Sequence, residues 1–457
     1  MPDRASRAIA ARNGSLKVAL TLAACALLLD AMPASAQQLY SGSASPEVAA
    51  SDAFLGIGPG AQAAVSTFAA TAPDMPIVIS PLSIEPDANG VNLATGKILI
   101  PQPGLGVPGA PNLRMVRLSD LSPYIAGRQS GTAGEVVLGS YSVHTMAGTS
   151  DSFECADFDC TDINHRGATF LGGNALNAGA RHYMRGGTGE VYRFDLEHVR
   201  TTTTNPISIQ YYASSITYPN GEVLTFTYDT AKLAGDTFNR TFYRPIKVSS
   251  NVGYYISLSY KPGTLGVDPW TLVNVAALYS NADPSTPLQS LTYGDDGITI
   301  TDIGGRVFTC SGCSRGTGAS GEVTSGSITY PGESTPAFTV TKNATYPLVA
   351  SVTRDGVTWN YAYTNVTYNA LKQMHFYSKV TVTGPNGYNV AYDMVASNRG
   401  NVVNKVTDSL SRATSLTYDL YGRLQKLVYP ESNQVSVTLD PVGNVLTKTR
   451  RRSRALD

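Results

Sequence analysis

An all-β chain of successive antiparallel hairpins is the fold class that the sequence predicts. Three observations predict it. From Pro206 onward, β-branched and aromatic residues alternate with polar ones, as in "ISIQYYASSITYPNGEVLTFTYD". Turn signals punctuate these runs, and Pro-Asn-Gly occurs at both 219–221 and 385–387. Near the C-terminus the chain repeats itself: Asp419 and Gly422 recur 21 residues later as Asp440 and Gly443. No long stretch with helical period and caps follows residue 75. The abundance of Tyr, 26 against 12 Phe, suits strands with one packed face and one wet face.

The first 36 residues read as an export signal and are taken out of the fold. Arg4, Arg7, Arg12 and Lys17 precede an apolar run from Val18 to Leu29, and Ala34-Ser35-Ala36 supplies small residues for cleavage between Ala36 and Gln37. The run is too short to span a bilayer well. Leu22-Ala23-Ala24-Cys25 resembles a lipobox, but the apolar run continues past Cys25, so lipidation there is the lesser alternative. The expected location is the periplasm, the outer surface or the medium. Residues 37–75 are rich in Ala, Ser, Gly and Pro and read as a disordered lead-in, with a short helix expected at Ala61–Ala70.

The remaining chain divides into an N-terminal β region (76–205), a hairpin sheet (206–378), the repeats (379–449) and a basic tail (450–457). The full chain carries 34 basic and 34 acidic side chains. The signal holds four basic and two acidic ones, so the mature chain is near neutral at −2. That argues against broad capture of nucleic acid.

Each 21-residue unit reads as one hairpin. Tyr418-Asp419 ends a strand, Gly422 allows the positive φ of a turn, and Asp419 can accept hydrogen bonds from the turn's N–H groups. Arg423-Leu424 opens the next strand, and Pro430 with Asn433 marks the far turn. One hairpin cannot bury its own face, whereas a series can.

These residues resemble the Rhs or YD-repeat family, whose pattern is Y-D-x-x-G-R-L, a Pro-Gly turn, then Y-D-x-x-G-N. Tyr418, Asp419, Gly422, Arg423, Leu424, Pro430, Asp440, Gly443, Asn444 and Thr447 match it. Leu439 stands where the second Tyr would be. Asp408-Ser-Leu-Ser411-Arg412 is similar to a degraded copy with Ser for Gly. Residues 216–229 resemble the family's Y-P-x-G turn, and residues 90–118 its opening segment. The stretch from 120 to 180 matches poorly. The resemblance implies a curved, spiralling sheet that forms part of a hollow shell. Bacterial members use the shell to enclose a toxic C-terminal domain in competition with other cells, and animal relatives display it in adhesion. The family's terminal core segment with its aspartate dyad is missing here, so the chain reads as a short, truncated or split member.

Past the signal there are four cysteines. The close spacing of Cys155 with Cys160 and of Cys310 with Cys313 points to two local disulfides in an oxidising compartment. A zinc site joining the pairs with His165 is the alternative, and a redox role for Cys310-Ser-Gly-Cys313 is weakly supported. Asp157, Asp159, Asp162 and Asn164 alternate oxygen ligands, as a calcium loop would, but lack the loop Gly and distal Glu of an EF-hand. The five His (144, 165, 182, 198, 375) show no paired metal spacing. No G-x-S-x-G, Walker loop or H-E-x-x-H is present, and no pair of carboxylates stands out. No cofactor is expected.

The sequence therefore predicts a non-enzymatic, exported structural shell or surface-contact protein. The alternatives are a glycan-binding envelope protein using exposed Tyr, and a secreted polysaccharide hydrolase. The final hairpin, Leu416–Thr449, is expected to leave an open edge through which the chain associates with itself or a partner.

Overall fold

A computed structural model describes residues 86–451, except 131–137, 147–149, 157–158, 164–166, 173–178, 201–206, 267–269, 314, 317–321, 371–373, 398–399, 421 and 442–443. The expected signal cleavage at Ala36 and Gln37, the Ala61–Ala70 helix, Asp157, Asn164, His165 and Gly443 lie outside the described residues. What is described is built from antiparallel strands, with two short 3-10 turns, as the hairpin pattern predicts. No described helix is long and apolar enough to cross a membrane.

The poorly matching region after residue 120 forms a barrel. Its strands are Tyr124–Ser130, Leu138–His144, Ser150–Ala156, Asp159–Asp162, Thr169–Leu171, Arg181–Met184, Val191–Arg200 and Ile207–Thr217. Consecutive strands pair or lie side by side. The ring closes where Ile207–Tyr212 pairs with Tyr124–Gln129. A barrel of this size has an interior just wide enough for side chains. Here aromatics fill it: Tyr141 and Phe153 pack on Phe170, and Tyr183 packs on Phe153 and Tyr192. Gly127 makes room, since a Cβ there would lie 2.2 Å from the Tyr141 ring. Arg181 is buried too, stacked 3.9 Å over the Tyr211 ring.

The strand Ile207–Thr217 belongs to two structures. Its second half pairs with Val223–Lys232, and from there a ribbon of hairpins runs to Val445–Arg451. Along the ribbon one face is buried, through Leu224, Val248, Ile256, Leu278, Leu291, Ile300, Ile328, Val352, Val380 and Val403. Period-2 alternation puts the polar residues on the other face.

The buried face is covered by the opening segment, Asp87–Leu121, which crosses the ribbon as a strap. The strap buries Val91, Leu93, Ile98, Leu105, Leu113, Met115, Leu118 and Leu121. Its polar anchors run against the order of the ribbon. Asn112 donates to Glu222 at 2.8 Å, Gly106 N–H to Gln289 at 3.1 Å, and Asn92 to Glu322 at 3.2 Å. Farther on, Val349 N–H donates to the Gly96 carbonyl at 2.8 Å, and the Tyr361 hydroxyl to Asp87 at 2.5 Å. Tyr377 and Asn401 close on the Leu93 and Ala94 carbonyls at 2.6 and 2.8 Å. The ribbon thus has a second layer supplied by its own N-terminal side, which gives the sheet a core.

Candidate functional site

The repeat signature is a turn clasp. Asp419 accepts from the Arg423 N–H at 2.8 Å and from its guanidinium at 2.6 Å, while Gly422 holds φ +76° between them. The backbone bonds Gly422 N–H to Asp419 O and Asp419 N–H to Arg423 O complete the hairpin loop. The same clasp forms at Asp236–Arg240, Asp302–Arg306 and Asp408–Arg412. Asn239, Gly305 and Ser411 take the positive φ there, so Ser411 does serve in place of Gly. Asp440 repeats the clasp with Asn444, whose side-chain amide donates at 2.8 Å. The sequence reading found three of these turns. The pattern D-x-x-[G/S/N]-R, with Arg at the fifth place, would have found the other two.

Arg423 joins the two 21-residue units. Its guanidinium is buried and also donates to the Asp440 carbonyl of the next turn at 3.0 Å. The turns at Asp419 and Asp440, neighbours on one rim of the ribbon, are thereby stitched together. Leu424 begins the strand Leu424–Val428. The two Pro-Asn-Gly turns differ: only Gly221 has positive φ in the first, but Asn386 and Gly387 both do in the second.

A second device, missed from the sequence, uses the Tyr of the repeat. Tyr418 donates its hydroxyl to the Val403 carbonyl at 2.8 Å, Tyr228 to Ala213 at 2.9 Å, and Tyr260 to Pro245 at 2.5 Å. Each acceptor lies 15 residues upstream. Each also immediately precedes the extra residue of a β-bulge: Asn404, Ser214 and Ile246. A bulge disrupts the ladder, and the hydroxyl caps a carbonyl beside the disruption. Leu439 occupies the corresponding place opposite a bulge at Gln425 but has no hydroxyl to offer Leu424.

Charges follow from these roles. The hydrogen bonds from Arg240 hold the Asp236 carboxyl down at about 2. Burial pushes the Asp87 carboxyl up, against the donors that surround it. Burial also raises the Tyr141 and Tyr212 hydroxyls to about 12.

Cys155–Cys160 and Cys310–Cys313 are disulfide-bonded within their own hairpin and loop. Asp159 and Asp162 sit three apart on one strand, with Asp159 exposed and Asp162 buried on the opposite face, so they do not converge on a cation. Among the described residues no group of three His, Cys, Asp or Glu could hold a metal. The described histidines are dispersed: His144 stacks on Tyr124 at 4.3 Å, His198 bonds the Thr241 carbonyl at 2.6 Å, His375 lies beside Tyr368, and His182 is on the barrel wall. Tyr255 and Tyr279 stack on each other at 5.1 Å, which leaves less ring face for a sugar.

No protein-family profile matches the chain, and no curated protein matches it. Solved structures do. A Tc holotoxin pore from Photorhabdus luminescens matches at 11% identity with a TM-score of 0.31, over 70% of this chain and 19% of that chain. A TcdB2-TccC3 crystal structure matches at 13% identity with a TM-score of 0.32, over 70% of this chain and 18% of that chain. A porin-like protein from Bacteroides uniformis matches at 10% identity with a TM-score of 0.18, over 62% of this chain and 93% of that chain. This chain spans about a fifth of the length of the Tc toxin chains. At such identities and scores these matches bear on neither activity nor partner.

The C-terminal end of the ribbon is different from the rest. The strap's last anchor is at Asn401, and past Leu427 burial fades. All seven residues of Val445–Arg451 are exposed. This strand pairs with Gln434–Leu439 on one side, and among the described residues nothing pairs with its other side.

Proposed function

We propose that this chain is an exported, non-catalytic scaffold of the Rhs or YD-repeat kind: a curved hairpin sheet that serves as part of a shell or as a contact surface at the cell envelope. One observation carries the reading. Among the described residues, the carboxylates of the repeat signature clasp turns, Tyr hydroxyls cap bulges, and Glu222, Glu322 and Asp87 hold the strap. Export rests on the basic, apolar and Ala-Ser-Ala segments that lead to Ala36 and Gln37.

Fractionation of cells that make the full-length chain tests the proposal. A chain starting at Gln37 should be recovered from the envelope or the medium, and it should release no reducing ends from a polysaccharide panel. An uncleaved cytoplasmic chain would remove the export reading. Polysaccharide turnover would replace the scaffold with a hydrolase.

A further inference from the structure

The open edge of Val445–Arg451 has a charge that selects its occupant. Lys448, Arg450 and Arg451 stand within four residues of one another on this exposed strand. The facing strand, Gln434–Leu439, has no acid to offer them: Val437 is opposite Lys448, Val435 opposite Arg450, and Gln434 opposite Arg451. Asp440, at the turn between the two strands, is taken by Asn444. The cross-strand register runs Leu416, Leu427, Val435, Arg450, so the apolar row of the buried face ends in a cation.

The outer N–H and C=O groups of this edge meet no strand among the described residues, and such an edge can recruit one. A second copy of this chain is a poor occupant. Antiparallel pairing of the edge with itself about its middle sets Lys448 against Lys448, and like charges directly opposite are destabilising. Sliding the register toward the C-terminus sets Lys448 against Arg450 or Arg450 against itself, whereas a register centred on Thr447 escapes the clash only by pairing 445–449 alone and gives the cations no opposite charge. An acidic strand reverses the sign. Asp or Glu at alternate positions would face Lys448 and Arg450, while β-branched residues between them would face Thr447 and Thr449.

We propose that the outer edge of Val445–Arg451 binds an extended acidic peptide as an added β-strand. The inference does not depend on the scaffold being a shell. The probe is a fluorescein-labelled, eight-residue peptide of alternating Glu and Val, titrated with the full mature chain in 0.15 M salt and read by anisotropy. The controls are the Lys-Val peptide and a Glu-Val peptide N-methylated at alternate residues, which keeps its charge but cannot pair on that edge. The acidic peptide should bind about tenfold or more tightly than either control. The double substitution Lys448→Glu, Arg450→Glu should invert the preference toward Lys-Val. Both residues are exposed, and circular dichroism confirms that the variant folds. Equal binding of the N-methylated peptide would overturn the proposal, because charge alone would then suffice. So would sedimentation as a dimer that excludes the peptide, or binding to anionic lipid vesicles by a chain that ignores the peptide.

Discussion

Removing one oxygen, in Tyr418→Phe, tests the tyrosine caps. The ring stays packed, and only the 2.8 Å bond to the Val403 carbonyl is lost. That carbonyl sits beside the bulged residue Asn404, so it does not recover a ladder partner. A hydrogen bond is worth about 1 kcal/mol net, and a buried acceptor left bare costs about 1–3 kcal/mol. The expected loss is therefore about 1.5 kcal/mol, or about tenfold in local opening. A hairpin ribbon need not unfold in two states, so the assay is amide hydrogen exchange of Ala413–Tyr418 and its neighbour Gly400–Thr407, measured as local protection. Tyr228→Phe should do the same at Ile207–Thr217. Tyr255→Phe, whose ring stacks on Tyr279 and lies under the Lys247 ammonium, keeps both contacts; it is the control and should stay within about 0.5 kcal/mol of the parent. The converse is Leu439→Tyr, which should gain about 1 kcal/mol at the last hairpin by capping Leu424. If Tyr418→Phe and Tyr228→Phe match the Tyr255→Phe control, the hydroxyls are not caps.

Three further outcomes are expected. Arg423→Ala should cost about 3 kcal/mol or more by denaturation, because it takes the buried guanidinium from Asp419 and unstitches the next turn, whereas Arg412→Ala, at a guanidinium 45% exposed, should cost about 1 kcal/mol or less. At high pH the raised Tyr141 and Tyr212 give stability that is complete below pH 10 and lost as pH climbs toward about 12, so tyrosinate absorbance should rise cooperatively with unfolding; at low pH the Asp236 clasp is complete above 3.8 and lost toward about 2, seen as faster exchange of the Arg240 amide. Thiol titration of the denatured mature chain before reduction should find Cys155, Cys160, Cys310 and Cys313 all blocked.

How far the sequence disclosed the architecture depended on range. Asp419, Gly422 and Arg423 act within five residues, so their turn could be read directly from the repeat. Alternation gave the strands, because it is a property of neighbours. The barrel was not foreseen, since its closure joins Ile207–Tyr212 to Tyr124–Gln129 across a long stretch of chain and depends on small residues such as Gly127 at close approaches. The strap was visible as an opening segment but not as a second layer, because its anchors are set by partners hundreds of residues away, Asp87 with Tyr361 among them. The tyrosine caps join adjacent strands only after a bulge has shifted the register, and no local pattern announces a bulge. The repeat gave the expectation of an open edge at the last hairpin; among the described residues Val445–Arg451 pairs on one side, and its cations are what the proposed acidic peptide would meet.

The central claim is that one segment, Asp87–Leu121, covers the buried face of the ribbon from Glu222 to Asn401. Double-mutant cycles at its two ends test this most directly: Asn112→Ala with Glu222→Ala, separated by 110 residues, and Asp87→Ala with Tyr361→Phe, separated by 274. Hydrogen bonds to charged groups and buried contacts predict coupling of about 1.5 kcal/mol or more in both cycles. Additive effects at both ends, with coupling near zero, would mean that the strap does not lie on the ribbon and would contradict the account.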